Sequence, residues 1–180
     1  MTKTLGLLRH AKSEWDDMGT RDFDRGLNAR GRRGAALIGA HIAQTMAERS
    51  QGWDRVLASP AQRVRQTLAE ALPKHTPDWI EPLYLADTAT LFDQLQQCDD
   101  ATGAVLMAGH NPGMQEMLFA LVPPAGENAD FDAAAQKYPT ATFALFELDI
   151  DRWSALEKGC GTLVHFTRPR DLDPELGPEG

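Results

Sequence analysis

Short apolar runs separated by longer segments with helical periodicity restrict the fold of this chain more than any other feature. Three such runs, at residues 4–8, 55–58 and 104–108, end abruptly in polar or turn residues. Runs of this length that are bounded by turn residues are typical of buried strands. Residues 142–149 and 161–167 show a similar pattern nearer the end of the chain. The sequence therefore predicts five strands.

Helical patterns lie between these runs. Residues 30–49 place several apolar side chains and one histidine on a single helix face: Leu37, Ile38, His41, Ile42 and Met46. A second helix is predicted after Pro60, because proline suits the start of a helix. A third is predicted over residues 90–97, and a fourth after Pro112. Strands that alternate with helices in this way predict an α/β domain.

The length of the chain and its composition favour one domain. The 180 residues, of which 42% are hydrophobic, can bury a proper core. No internal repeat and no change in composition marks a boundary, so we predict a single domain over residues 1–168. Residues 122–140 contain four prolines and glycines and predict a long loop. The proline-rich acidic segment 169–180 is expected to be a frayed tail.

Neither a membrane segment nor a disulfide framework is evident in the sequence. No apolar run approaches the roughly 18–20 residues that span a bilayer. The first residues lack the apolar stretch and small-residue cleavage site of a signal peptide. Cys98 and Cys160 are too few for a disulfide framework and lack the C-x-x-C spacing of a zinc or redox site. The sequence therefore predicts a cytoplasmic protein with free thiols and no membrane partner.

The charge of the chain is unevenly distributed. The formal net charge of −8 argues against a nucleic-acid partner, which requires a cationic surface. However, residues 1–65 contain 12 of the 18 basic residues and 7 of the 26 acidic ones, which gives this part a net charge of +5 and the remainder −13. This asymmetry indicates an anion-facing region in the first third of the chain.

Reactive or cationic residues follow three of the predicted strands. Arg9 and His10 end the first strand, Ser59 follows the second with Arg63 shortly after it, and His110 follows the strand at 104–108. If these strands are parallel, their carboxyl ends meet at one edge of the sheet, where α/β proteins usually bind ligands. We therefore predict that two histidines and two arginines converge there.

The other three histidines lack comparable neighbours in the sequence. His41 lies in the apolar face of its helix and is interpreted as a packing residue. His75 lies in a loop flanked by prolines, and His165 lies in a late strand. None of the three is predicted to belong to a site.

Two histidines with two arginines are best suited to phosphoryl chemistry. A metal site is disfavoured, because guanidinium groups beside imidazole ligands repel a divalent cation. Ser13 or Ser59 could be a nucleophile, but the G-x-S-x-G elbow and the P-loop motif are both missing. A guanidinium group can donate two parallel hydrogen bonds to the oxygens of a phosphoryl group. A neutral imidazole is a competent nucleophile near pH 7, since its reference pKa is about 6.5.

Four stretches of the chain resemble motifs of one family, the histidine phosphatase (phosphoglycerate mutase-like) superfamily. Residues 8–15, L-R-H-A-K-S-E-W, resemble its signature R-H-G-x-S-x-W, and residues 59–67, S-P-A-Q-R-V-R-Q-T, resemble S-P-x-x-R-x-x-x-T. Residues 27–31, L-N-A-R-G, resemble its helix entry, and residues 109–111, G-H-N, its second-histidine motif. The four motifs occur in the order found in the family.

Within the superfamily, the chain is most similar to the SixA-type phosphohistidine phosphatases. This similarity rests on the short chain and on residues 22–28, 109–113 and 138–140. The resemblance implies a three-layer α/β fold with a mixed, mostly parallel sheet flanked by helices. It also implies a transient phosphohistidine and no metal or other cofactor.

The resemblance also assigns roles to residues. His10 is expected to attack phosphorus, Arg9 and Arg63 to hold the phosphoryl oxygens together with Ser13, and His110 to donate to an oxygen as charge develops.

The sequence departs from the family pattern at two motif positions. Ala11 replaces the usual glycine, and Asp16 stands where many mutases have an asparagine that helps bind phosphate. The general acid has no clean match either. Glu81 and Asp87 flank Tyr84 in the relevant region, and Glu81 is taken as the candidate acid.

The unmatched acid and the short chain both bear on the substrate. A phosphohistidine leaves as an imidazole, which needs a positioned acid less than an alkoxide does. Short segments between the motifs leave little chain for a cap over the site. We therefore expect a metal-independent phosphatase acting on phosphohistidine in a protein. Two alternatives stay open, namely an enzyme for a small phosphomonoester or a mutase reaction, and a non-catalytic module that binds phosphoproteins.

Overall fold

The computed structural model describes residues 2–16 and 18–178 and contains one mixed sheet in their central part. Six strands form this sheet, in the spatial order β3-β2-β4-β1-β5-β6. Their bounds are β1 (Lys3–Arg9), β2 (Arg55–Ala58), β3 (Asp78–Trp79), β4 (Ala104–Gly109), β5 (Phe143–Leu148) and β6 (Gly161–Thr167). The first four are parallel to one another, whereas β5 pairs antiparallel with both β1 and β6. The predicted mixed, mostly parallel sheet is confirmed.

Helices connect the strands. In the described part of the chain they are α1 (Ala29–Glu48), α2 (Gln62–Ala71), α3 (Thr88–Gln96), α4 (Gly113–Leu121), α5 (Ala129–Gln136) and α6 (Pro169–Leu172). The four helices predicted from the sequence are α1 to α4. α1 begins after Asn28, whose side-chain oxygen accepts from the backbone N–H of Gly31 and so caps the helix. Within residues 2–16 and 18–178, no helix combines the length and apolarity that crossing a membrane requires.

The sheet has a separate apolar core on each face. Alternating side chains of β1 point to opposite faces, so that Leu5 and Leu7 belong to one core and Leu8 to the other. Helices α3, α4 and α5 cover the first core, and α1 and α2 cover the second. This arrangement has the three layers that the resemblance implied.

One segment predicted to be a loop contains a helix. Residues 122–140 include α5, which Asn128 caps by accepting from the backbone N–H of Phe131. Phe131 and Ala134 are buried against α4. Four alanines and two aspartates dilute the apolar pattern of this short helix, and so hydrophobic periodicity does not identify it.

The expected frayed tail also differs from the structure. Pro169 is buried and begins α6, and a short 3-10 helix over Pro174–Leu176 follows. The side chain of Arg33 pairs with Asp173 and Glu175, which holds this segment against α1. The acidic residues that suggested fraying therefore have arginine partners. Residues 179–180 lie outside the described residues, and the boundary of the single domain stays a prediction.

Two histidines that appeared unrelated in the sequence meet between α1 and β6. The Nε2 atoms of His41 and His165 lie 2.7 Å apart, and the hydroxyl of Thr167 lies within 3.0 Å of both. Burial lowers the pKa of each imidazole. His41 thus packs as predicted, but it also makes a polar contact that links the helix to the sheet edge.

A close contact between α1 and α2 generates a stability prediction. A Cβ atom on Gly39 would lie 2.3 Å from the carbonyl oxygen and 2.4 Å from the Cα of Ala71. Overpacking costs about 1–3 kcal/mol, and here backbone must move, while alanine recovers only about 1 kcal/mol of helix propensity. Gly39→Ala should therefore lower the free energy of unfolding by about 2 kcal/mol, measured by urea denaturation.

Gly52→Ala is the matched control, because nothing lies within 4 Å of a Cβ atom at that position. Equal denaturation midpoints for the two variants would show that α1 and α2 are not packed as described.

Candidate active site

The site lies at the carboxyl edge of the three adjacent parallel strands. β4 runs between β1 and β2, with Arg9 opposite Gly109 at one side and Ala58 opposite Ala108 at the other. The strands therefore end at the same level, and the residues that follow them come together. The imidazole rings of His10 and His110 have their centroids 5.3 Å apart. The predicted convergence of the two histidines is present.

The tautomer of His10 is fixed by its own loop. Its Nδ1 lies 2.8 Å from the carbonyl oxygen of Ala11, which can only accept, so Nδ1 carries the proton. Nε2 consequently keeps its lone pair. Burial lowers the pKa of His10 to about 3, and the nearby charges of Arg9 and Arg63 act in the same direction, against the bond to Ala11. At neutral pH the ring is uncharged and has the form that a nucleophile requires.

Both predicted arginines are held by contacts that leave part of each guanidinium group without a partner. Arg63, on the first turn of α2, donates from Nη1 to the backbone oxygen of Asp22 (2.7 Å) and from Nη2 to its carboxylate (3.1 Å). Arg9 donates from Nη1 to the carbonyl oxygen of Tyr138 at 2.9 Å. The Nε atoms of both arginines are buried and have no hydrogen-bond partner in the described structure.

His110 is oriented by a chain of hydrogen bonds. Its Nε2 lies 2.8 Å from the hydroxyl oxygen of Ser59, and that oxygen accepts from the backbone N–H of Ala61 at 3.3 Å. The Ser59 hydroxyl can donate its proton to Nε2, and in that arrangement the ring proton of His110 is on Nδ1, the atom without a partner. Burial, and secondarily the charge of Arg63, lower the pKa of His110 to about 3.

The unpartnered polar atoms of the described residues are concentrated here. Five buried side-chain nitrogens or oxygens lack a hydrogen bond, and three of them are Arg9 Nε, Arg63 Nε and His110 Nδ1. Buried polar groups are almost always paired, so a cluster of unpaired groups needs a reason. Two guanidinium groups beside neutral imidazoles attract an anion, and its oxygens can fill these positions.

Thr67 explains the last position of the second motif. Its hydroxyl donates to the carbonyl oxygen of Arg63 at 2.6 Å and accepts from the backbone N–H of Ala11 at 2.9 Å. This side chain therefore ties the loop after β1 to α2, and it holds His10 and Arg63 in a fixed relation.

The sequence did not assign a role to Asp22 or Tyr84, which both reach the site. The Tyr84 hydroxyl donates to the Asp22 carboxylate, and the Tyr84 ring packs edge-on against His110 with centroids 5.5 Å apart. Burial acts to raise the pKa of Asp22, but the bond from Tyr84 and the charge of Arg63 outweigh it and lower the pKa. The similarity of residues 22–28 to the SixA type pointed to the segment that contains Asp22, although it assigned no role to that residue.

The remaining candidate residues make no hydrogen bond to either site histidine in the described structure. Ser13 is buried, and its hydroxyl accepts from Nε of Arg25 at 3.3 Å, so its expected phosphate contact stays a prediction. Glu81 is exposed on the 3-10 helix after β3, and no contact joins it to either histidine in the described structure. Asp16 is exposed on the loop after β1. No group of three or more His, Cys, Asp or Glu residues within the described ranges is placed to hold a metal ion.

The fold and the four converging side chains define a class of protein. Residues 5–87 match the sequence profile of the histidine phosphatase superfamily (branch 1), and the chain belongs to this superfamily. The family resemblance that the motifs suggested is confirmed.

The chain is similar over most of its length to particular proteins of known sequence or structure. The Mycobacterium tuberculosis protein Rv1276c, of uncharacterized function, is 33% identical over 164 residues, covering 91% of this chain and all of the relative. A structure from Agrobacterium tumefaciens, assigned to the phosphohistidine phosphatase SixA, is 30% identical with a TM-score of 0.70 over 93% of this chain and 98% of that chain. A structure with the same assignment from Nakamurella multipartitia has a TM-score of 0.79 at 23% identity, over 94% and 97% of the two chains.

The lowered pKa values of the two site histidines can be tested by NMR of ¹⁵N-labelled imidazoles. Because both folded values lie well below the reference of about 6.5, the rings should stay neutral from about pH 8 to about pH 5. His10 should show the Nδ1–H tautomer throughout, and its signals should vanish in His10→Asn.

The same sample unfolded in urea is the control, since its histidines should titrate near 6.5. A midpoint near that value for either His10 or His110 in the folded protein would contradict the described burial.

Proposed function

We propose that this protein is a phosphatase that hydrolyses phosphohistidine on another protein, through a phosphorylated intermediate on His10. The observation that carries the proposal is a group of nitrogens without hydrogen-bond partners on the side chains around a nucleophilic nitrogen. Nε2 of His10 has a free lone pair, and unpartnered nitrogens of Arg9, Arg63 and His110 belong to the side chains grouped with it. A phosphoryl group has three oxygens to match these donors.

The reaction proceeds in two displacements. Nε2 of His10 attacks phosphorus, and the bond from phosphorus to the substrate nitrogen breaks as the new N–P bond forms. The leaving imidazole takes a proton from solvent, while Arg9, Arg63 and Nδ1–H of His110 balance the charge on the phosphoryl oxygens. Water then attacks phosphorus and the N–P bond to His10 breaks. A proton of this water returns to solvent, inorganic phosphate is released, and His10 is neutral again.

The acid groups near the site favour an imidazole leaving group. Asp22 is the carboxyl group that contacts Arg63, and its lowered pKa keeps it ionised at neutral pH, so it is a poor proton donor. Glu81 is exposed, and in the described structure no hydrogen bond joins it to either histidine. An alkoxide would need a positioned acid, whereas an imidazole nitrogen can be protonated before the bond breaks.

The surface around the site favours a protein substrate. Five large apolar side chains are exposed among the described residues, and four of them lie at or beyond the carboxyl ends of β1 and β3. Trp79 ends β3, and Trp15, Met18 and Leu85 lie on the segments that follow these two strands. Arg25 lies 3.8 Å over the ring of Trp15, and Arg65 lies 4.3 Å over that of Trp79. Tryptophan and arginine are enriched at protein interfaces. We call these four side chains the apolar rim.

Similarity to a structure assigned to a phosphohistidine phosphatase, at 30% identity, supports the same substrate class. A small phosphomonoester or mutase substrate is the competing enzyme function, and a non-catalytic phosphoprotein-binding module is the competing non-enzyme. The first requires faster turnover of a small ester than of a phosphohistidine protein. The second requires that no phosphate is ever found on His10.

The nucleophile can be tested with His10→Asn. Asparagine keeps an N–H near the position of Nδ1 to donate to Ala11, but removes Nε2, so the variant should fold and lose at least about 10³-fold in kcat for an aryl phosphate. Acid-labile phosphate trapped on the wild-type chain should be absent from the variant. His75→Asn, an exposed histidine outside the site, is the control and should behave as wild type.

Normal turnover by His10→Asn would exclude this mechanism. Wild-type protein that never carries acid-labile phosphate, with any substrate, would favour the binding module.

The substrate class can be tested by removing the apolar rim. Trp15→Ser combined with Trp79→Ser should reduce kcat/KM for a phosphohistidine protein by about tenfold, and free phosphohistidine much less, because only the protein reaches the rim. Phe119→Ser is the control, since Phe119 is exposed on α4 outside the rim. Equal losses on both substrates would favour a small-molecule enzyme.

A further inference from the structure

A cavity of about 440 Å³ is lined in part by Arg9 of the site and has a strongly basic lining. Its walls come from the loop after β1, the start of α1, residues 137–141 and the C-terminal segment from Arg168 to Pro178. Six basic side chains line it: Arg9, Lys12, Arg30, Lys137, Arg168 and Arg170. No acidic side chain of the described residues does so. We call it the basic cavity.

Few of these charges are neutralised locally. Arg168 pairs with Asp171, which lies just outside the lining and also near Arg170. Arg30 donates to the carbonyl oxygen of Gly177, a neutral acceptor. Within the described structure, Lys12 and Lys137 have no ion-pair partner. Cations grouped in a concave space raise the local concentration of anions.

The start of α1 adds to this positive potential. The first turn of the helix contains no acidic residue, although a helix N-terminus favours negative charge. Arg30 lies there, and Gly31 and Gly34 line the basic cavity, although the N–H of Gly31 is already bonded to Asn28. An anion in the cavity would therefore be attracted by both side chains and the helix dipole.

The basic cavity and the phosphoryl site have Arg9 in common. This side chain lines the cavity, and its charge also acts on His10 and His110. Residues 137–141 form a wall of the cavity and are bonded to the end of β1, since the N–H of Ala141 donates to the carbonyl oxygen of His10 at 2.9 Å. A substrate whose phosphate contacts Arg9 therefore has its neighbouring groups at the mouth of the cavity.

The chain itself shows which ligand suits arginines at the start of α1. Its own segment 173–177, D-P-E-L-G, lies along the helix, where Asp173 and Glu175 pair with Arg33 and the Gly177 carbonyl accepts from Arg30. A short acidic segment, with residues 174–176 in a 3-10 helix, thus already binds beside the basic cavity. The space left between this segment and Arg9 can take a second stretch of the same character.

We propose that the basic cavity binds acidic side chains of the substrate protein that lie close in sequence to its phosphohistidine. This specificity site rests on the proposed function, and it selects among phosphohistidine proteins by the charge next to the phosphorylated residue. Carboxylates there make charge-assisted hydrogen bonds to Arg30 and Lys137, while the phosphoryl group binds Arg9 and Arg63.

The test compares two phosphohistidine peptides that differ only in flanking residues, with glutamates in one and glutamines in the other. For the wild type, kcat/KM should be about tenfold higher with the glutamate peptide, and the ratio should shrink in high salt. In Arg30→Gln combined with Lys137→Gln, the two peptides should be turned over equally. Arg32→Gln, on the same helix but outside the lining, should keep the wild-type ratio.

A wild-type ratio of one, or an unchanged ratio in the double variant, would overturn the proposal. Equilibrium binding of both peptides to His10→Asn separates this outcome from failure of the proposed function, because binding does not need turnover. A preference for the glutamate peptide that disappears when Arg30→Gln and Lys137→Gln are added supports the basic cavity even without catalysis. Equal binding of both peptides to His10→Asn would overturn it.

Discussion

The parallel pairing of β4 with both β1 and β2 is the constraint on which the site depends. Because the register sets Arg9 against Gly109, the three strands end at one level. The backbone N–H of His10 then donates to Gly109 (3.0 Å) and that of Ser59 to Ala108 (3.1 Å), so the residues beyond the strands are still held by the sheet. A shift of one residue in the pairing of β1 with β4 would separate the two histidines and reverse the faces of the strand.

Burial and positive charge act together on this edge. Burial disfavours the charged form of an imidazole, and two guanidinium groups close by disfavour it further. Both histidines therefore stay neutral, although the Asp22 carboxylate acts to raise the pKa of His110. The net charge of −8 conceals this arrangement. The acidic residues lie mostly in the later part of the chain, and the cations that matter are grouped in the phosphoryl site and the basic cavity.

The sequence predicts the features that depend on local patterns. Buried strands such as β1 and β4, and the residues that end them, stand out because apolar runs stop at polar groups. The parts that escape prediction depend on contacts between distant positions. Asp22 and Tyr84 are 62 residues apart and neither continues a periodic pattern. The C-terminal segment was predicted to be frayed because Arg33, which pairs with Asp173 and Glu175, lies far away in the sequence.

The Asp22 carboxylate gives the free protein an internal substitute for the phosphate. It pairs with Arg63 before any ligand arrives, and Tyr84 holds it in place. A bound phosphoryl group must therefore share or replace this anion, so part of its attraction to Arg63 is offset by the contact it displaces. After hydrolysis the same carboxylate competes with inorganic phosphate at a high effective concentration. On the proposed reaction, Asp22 limits how tightly the product is retained and helps clear the site for the next substrate.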